Sequence, residues 1–138
     1  MAEKIAVRAI ITGQENKIFL AKRARGYGAG QWALPGGKPH QNESLKKTTE
    51  REVEEETGNR LKIREFFLFT KDTSFDQINP WLVYFFIGTV TGSLNLKIDE
   101  HIEAGWFNKN QLIDLDIAFN HREVLTQFFD SNELSIDL

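Results

Sequence analysis

Cysteine is absent from the 138-residue chain, so disulfides and thiolate metal sites are excluded, and any metal must take oxygen or imidazole ligands. No apolar run approaches the roughly 20 residues that span a bilayer, which argues against a membrane partner. Met1–Lys4 lacks the layout of a signal peptide, and the expected location is the cytoplasm. Neither sign of charge dominates. Lys and Arg number 17 against 20 Asp and Glu, and the resulting −3 offers no general attraction to a nucleic-acid polymer. Repeats, low-complexity segments and Pro/Gly-rich linkers are also missing, so one domain over residues 1–138 is expected. What is present, 41% hydrophobic and 27% charged residues, is ordinary for one packed core.

Strand-like segments rich in β-branched and aromatic residues are Ile5–Thr12, Lys17–Lys22, Leu61–Thr70, Pro80–Val90 and Ala104–Phe107. In Pro80–Val90, Trp81, Val83, Phe85 and Ile87 occupy one face while Leu82, Tyr84 and Phe86 occupy the other, so the strand is expected to be covered on both sides. A first helix is predicted from about Glu43 to Thr57, with Asn42 as N-cap and Gly58 just past its end. A second is predicted over about Asn120–Phe129, where Val124, Leu125, Phe128 and Phe129 recur at helical spacing. A shorter helix after Asn108 would turn Leu112 and Ile113 inward. Strands with helices covering a doubly buried sheet predict an α/β sandwich.

The chemistry concentrates in the first helix, where Glu50-Arg51-Glu52-Val53-Glu54-Glu55-Glu56 places five carboxylates in seven positions near a helix C-terminus. Carbonyl groups already make that end negative, and each like-charged i,i+4 pair costs about 0.2–0.5 kcal/mol. At about 100° per residue, Glu52, Glu55 and Glu56 share an arc from which Glu54 and Arg51 point away. An arbitrary Glu-rich helix is more often a solvated face. A hard divalent cation would instead turn this repulsion into coordination, with Mg²⁺ commonly held by one or two carboxylates, waters and substrate phosphates. Upstream, Leu34-Pro35-Gly36-Gly37 breaks a strand into a double-glycine turn, where glycine allows positive φ or a close approach.

Gly37, five residues, Glu43, seven residues, Arg51-Glu52-Val53, one residue, Glu55-Glu56, one residue and Gly58 together resemble the Nudix box. Seven fixed identities would coincide about once in 10⁸ placements at average residue usage. Asn59 stands where the family expects a bulky apolar residue, and Thr48 and Thr49 stand where it often has alanines. The likeness extends over roughly Ile5 to Phe107, through Leu20-Ala21-Lys22-Arg23 and Trp32-Ala33-Leu34-Pro35.

The resemblance implies a Nudix-type α/β/α sandwich with a mixed sheet and a loop-helix-loop that holds catalytic Mg²⁺ or Mn²⁺. It implies metal ligation by Glu55, Glu56 and the Gly37 carbonyl, with Glu52 the third carboxylate candidate. Arg51 would orient a glutamate, and Glu43 would serve structure. Glu100, ahead of Trp106-Phe107, resembles the family's late acidic residue, a base or extra ligand; Glu103 is the other candidate. Arg23 and Lys38, with Lys22 and Arg25 behind them, would contact phosphate oxygens. Asn120 resembles an Asn that reads the base in some MutT-type members. His40, His101 and His121 have no ligand spacing and read as ordinary surface or loop histidines.

The function implied is divalent-metal-dependent hydrolysis of a pyrophosphate linkage in a small nucleotide, first a nucleoside triphosphate giving monophosphate and pyrophosphate. ADP-ribose or a nucleotide sugar is the alternative substrate, and a non-catalytic nucleotide-binding regulatory domain is the alternative class. The intact Glu52, Glu55 and Glu56 speak for an enzyme. A homodimer stays open, because Phe66, Phe67 or Trp81 could sit in a core or an interface.

Overall fold

A computed structural model of the chain describes residues 4–74, 76–92 and 101–136. Its strands are β1 (Ile5–Ile11), β2 (Ile18–Arg23), β3 (Trp32–Ala33), β4 (Gly36–Gly37), β5 (Leu61–Asp72), β6 (Trp81–Val90) and β7 (His101–Phe107). Its α-helices are α1 (Leu45–Thr57) and α2 (His121–Ile136), with a 3-10 turn at Gln111–Asp114.

The strands form two sheets. One is mixed and ordered β4-β1-β6-β5, with β1 parallel to β6 and the other pairs antiparallel; the second, β3-β2-β7, is antiparallel. The parallel pair lies in the middle, as strands buried on both faces do. Period-2 alternation divides β1 between two cores. Ala6 and Ile10 join Leu20, Phe85, Val124, Leu125 and Phe128 on the α2 side, while Ala9 and Ile11 join Phe19, Ala21 and Val53 on the α1 side. The expected α/β sandwich with a mixed sheet is thus the observed architecture. Truncating the fully buried Phe85 to Ala should cost about 3–5 kcal/mol.

Helix α1 begins two residues later than the sequence indicates. Ser44 is its N-cap, the hydroxyl accepting the Lys47 N–H at 3.2 Å, whereas Asn42 takes a left-handed φ of 65° in the preceding turn. Gly58 ends the helix as expected, at φ 76°, and donates its N–H to the Glu54 carbonyl at 2.8 Å. The two departures from the family pattern have local uses. Thr48 and Thr49 are fully buried and donate their hydroxyls to the carbonyls of Ser44 and Leu45, while the Asn59 amide donates to the Thr91 carbonyl.

Other expectations need correction. β3 and β4 are two-residue strands that carry no periodicity, so the glycine pair is a sheet edge paired with β1 rather than a simple turn. α2 runs seven residues beyond Phe129, with polar residues after the apolar stripe ends. In the 3-10 turn Leu112 is buried but Ile113 is 71% exposed, because so short a turn buries a single side chain. Among the described residues no helix is long and apolar enough to cross a membrane.

Candidate active site

A cavity of about 510 Å³ opens where the N-terminal half of β1, the β4 edge, the inner side of α1 and the start of α2 meet. One wall is acidic. Glu52 and Glu56 stand one helical turn apart on α1 and face the Gly36–Gly37 edge, where the Gly36 N–H donates to Glu56 at 3.1 Å. A Cβ built on Gly37 would lie 2.3 Å from the Glu52 carboxyl carbon, and one on Gly36 would lie 1.9 Å from the Val7 carbonyl oxygen. Neither glycine has a positive φ, so close approach, not conformational freedom, is what requires them here.

Arg51 fixes this wall from behind. Its guanidinium grips Glu43 with two hydrogen bonds (2.8 and 3.0 Å), reaches Glu52 at 3.0 Å and Glu55 at 3.1 Å, and holds the Lys38 carbonyl at 2.9 Å. Glu43 also accepts the His40 N–H and the Thr48 hydroxyl, and these bonds, led by Arg51, hold its carboxyl down at about 2. Glu43 therefore fastens the loop to the helix, as expected. Of the three carboxylates placed on one arc by the sequence, Glu52 and Glu56 line the cavity, while Glu55 lies beside Glu52 on the same Arg51 Nη1. It is 53% exposed and turned to Arg51, whose i,i+4 position competes for it.

Glu52 has the opposite electrostatics. Burial, and then the Glu56 charge, push its carboxyl up to about 7 despite the Arg51 hydrogen bond. Two crowded carboxylates beside a backbone edge that has no side chains to block it fit a divalent cation with oxygen ligands. Among the described residues no three His, Asp or Glu side chains gather into one ligand set. An ion held by Glu52 and Glu56 would complete its shell with main-chain oxygen, water or substrate phosphate.

The rest of the charged lining is largely basic. Arg8, Arg23, Arg25 and Lys38 supply it, beside Tyr27, Trp81 and Phe119. The guanidiniums of Arg8 and Arg23 lie 5.3 and 5.2 Å from the centre of the Phe119 ring, and Lys38 Nζ lies 5.0 Å from that of Trp81. Phe119 has φ 57°, an uncommon conformation for a bulky residue, and its ring also stacks on Tyr27. Asp72, 6% exposed, adds one carboxylate, which accepts the Ser74 N–H and hydroxyl.

The chain matches the NUDIX domain family model over residues 2–128. It belongs to the NUDIX family. It is 32% identical over 124 residues to the ADP-ribose pyrophosphatase of Methanocaldococcus jannaschii, spanning 90% of this chain and 72% of that protein. It is 27% identical over 113 residues to the nucleoside triphosphatase NudI of Escherichia coli, covering 73% of this chain and 78% of that one. The MutT protein of Methanosarcina mazei Go1 has the same fold, with a TM-score of 0.81 at 29% identity over 94% of this chain and 95% of the other. Nudix hydrolases use divalent metal ions, which agrees with the oxygen-only acidic wall.

Within this Nudix chain the sequence-derived candidates separate. Glu52, Glu56, Gly37, Arg23 and Lys38 line the cavity, with Arg25. Lys22 lies off it, 3.7 Å from Glu103, in a partly exposed ion pair of β2 with β7. Glu100 lies outside the described residues. The Asn120 side chain is absent from the cavity wall: its amide donates to Thr70 at 3.0 Å, and its Oδ1 is buried without a partner among the described residues.

Sequence reasoning missed several residues of the cavity lining, Arg8 and His121 among them. Arg8 is the single charge in the apolar run Ile5–Ile11, a signal that was available. His121 is 1% exposed, not a surface histidine. It falls at i, i+3, i+4, i+7 with Val124, Leu125 and Phe128, so the stripe that predicted α2 also contained it.

Proposed function

We propose that this chain hydrolyses the pyrophosphate linkage of a nucleoside triphosphate, releasing nucleoside monophosphate and pyrophosphate, with Mg²⁺ or Mn²⁺ at Glu52 and Glu56. The observation that carries the reading is one cavity whose lining holds two close carboxylates and four cationic side chains. A bound divalent cation supplies charge stabilisation on phosphoryl oxygens and lowers the pKa of attacking water. Arg8, Arg23, Arg25 and Lys38 would bind and orient the phosphates, the guanidiniums by planar paired donors. Arg51 would hold Glu52 in one rotamer. Glu55 is placed one step back, as a partner of Arg51. Asn120 is not carried forward as a base reader, because Thr70 engages it.

Four cations suit the high negative charge of a triphosphate, and the named activity of NudI and the MutT likeness support the same choice. ADP-ribose is the second reading, favoured by the Methanocaldococcus jannaschii relative. Turnover of nucleoside triphosphates, ADP-ribose and nucleotide sugars with each metal separates them. The expected result is metal-dependent release of monophosphate, with a triphosphate exceeding ADP-ribose in kcat/KM. A tenfold preference for ADP-ribose, about 1.4 kcal/mol, would select the second reading. Binding without any turnover would select a regulatory domain.

A further inference from the structure

His121 is held in one tautomer by the main chain. The Leu34 N–H donates to its Nδ1 at 3.2 Å, so Nδ1 is the acceptor and the neutral ring carries its proton on Nε2. Edge contacts with Phe85 and Phe119, at centroid distances of 5.7 and 5.2 Å, fix the ring plane. Nε2 has no protein partner among the described residues, although the side chain is almost wholly buried, and the ring lines the cavity. A donor that no protein group meets is left to a ligand or water in the cavity it lines.

The neighbours of His121 identify the ligand. Leu34, whose N–H donates to His121, also accepts a hydrogen bond at its carbonyl from Arg8 Nη1 at 2.8 Å, so the two side chains are anchored to one residue through adjacent peptide groups. Arg23 completes the group through the Phe119 ring that both guanidiniums approach. We propose that Nε2–H of His121, with Arg8 and Arg23, forms an oxyanion site for a phosphate group of the substrate, so that His121 is a substrate-binding residue. Burial and the charges of Arg8 and Arg23 press the imidazole pKa well below its usual value, so the ring stays a neutral donor. A neutral donor adds a directed hydrogen bond without a third positive charge in the wall. The proposal rests on the pyrophosphohydrolase reading and extends it to His121, which lies outside the box.

The test is metal-free titration of the full chain, in EDTA, with inorganic pyrophosphate and separately with adenosine. His121→Asn places an amide oxygen where Nδ1 accepts from Leu34 but has nothing at the Nε2 position. His121→Gln places an amide N–H near Nε2. Pyrophosphate should bind the parent, bind His121→Asn about tenfold more weakly, as expected for one lost hydrogen bond to a charged acceptor, and bind His121→Gln within about threefold of the parent. Adenosine should respond to neither change. No pyrophosphate binding by the parent, binding by His121→Asn within about twofold of the parent, or a loss confined to adenosine would each overturn the proposal. If His121→Asn does not fold, His121→Gln decides: a loss as large as that of Arg8→Gln overturns it. Failure here with normal turnover would leave the hydrolase reading standing, while absence of turnover with intact pyrophosphate binding would sink that reading alone.

Discussion

Without metal, Glu52 should make the folded protein less stable as pH rises, and Glu52→Gln should remove that dependence. In the folded state burial and Glu56 hold its carboxyl near 7, whereas the ordinary value is 4.5. Between these values the folded chain keeps a proton that the unfolded chain has lost. Stability contributed by that bound proton is therefore present below about 4.5 and is lost as pH rises through 7. At 1.36 kcal/mol per unit the difference is a little over 3 kcal/mol, and solvent screening at this cavity wall brings it to roughly 1–2 kcal/mol. Gln keeps the size and the Arg51 contact without the charge. In EDTA its melting temperature should match the parent near pH 5 and exceed it by about 3–6 °C at pH 8. Other titrating groups act on both proteins alike, so the difference between the two pH curves isolates this carboxyl. Saturating Mg²⁺ should reverse the order at pH 8, since ligand at a hundredfold excess over Kd stabilises by about 2.7 kcal/mol and the amide is the poorer ligand. Parallel curves for parent and variant from pH 5 to 8, or a variant less stable at pH 8, would refute the reasoning.

Glu56→Gln should lower kcat by on the order of 10²-fold and weaken Mg²⁺ binding, whereas the exposed Glu54→Gln should stay within a few-fold; equal damage in a rate assay would contradict the two-carboxylate site. Gly37→Ala should cost at least tenfold in kcat, because its Cβ would displace the Glu52 carboxyl, with circular dichroism expected to show an intact fold. Arg51→Ala should lower the melting temperature and the rate together, since Glu43, Glu52 and the Lys38 carbonyl all lose a partner; an effect on the rate alone would mean that Arg51 does not brace the loop. Asn120→Ala should leave base preference among triphosphates unchanged and alter stability by less than about 1 kcal/mol, because it removes one bond to Thr70 and one unpartnered oxygen; a changed ranking of bases would return Asn120 to the pocket.

The legible half of this site is the half made by local chain. The offsets of Arg51, Glu52 and Glu56 within one helix, with Glu43 just before its N-cap and the glycine pair just upstream, fix their meeting by helical geometry and chain length alone. Even there, angular reasoning placed Glu55 with Glu52 and Glu56. The same reasoning pointed Arg51 away from that arc, yet its long side chain reaches back and holds Glu52 and Glu55 on one Nη1. The strands and both helices were legible from β-branched runs and the 3.6-residue stripe. The two-residue β3 and β4 were not, since they exist only through partners on β2 and β1. The basic lining depends on such long-range pairing. Arg8 meets the box because β1 pairs with Gly36, and His121 meets Leu34 across 87 positions of sequence.

The two sets of charges also bear on what the cations are for. Had the arginines served to neutralise the acidic wall, the Glu52 carboxyl would be held below its ordinary value, as Arg51 holds that of Glu43. It is pushed up instead, and Glu56 is among the causes. Arg8 gives the complementary result. Its guanidinium feels Glu56 and Glu52, yet burial outweighs them and lowers its pKa to about 10. Each sign of charge is thus crowded within the same cavity, Glu52 beside Glu56 and Arg8 beside Arg23. A ligand carrying a cation to the carboxylates and phosphate oxygens to the guanidiniums would relieve both at once, whereas a neutral nucleoside would relieve neither. Charge alone therefore favours a metal-bound nucleotide over any uncharged ligand, and the tighter the phosphates are packed against the arginines, the more of that stored repulsion is released on binding.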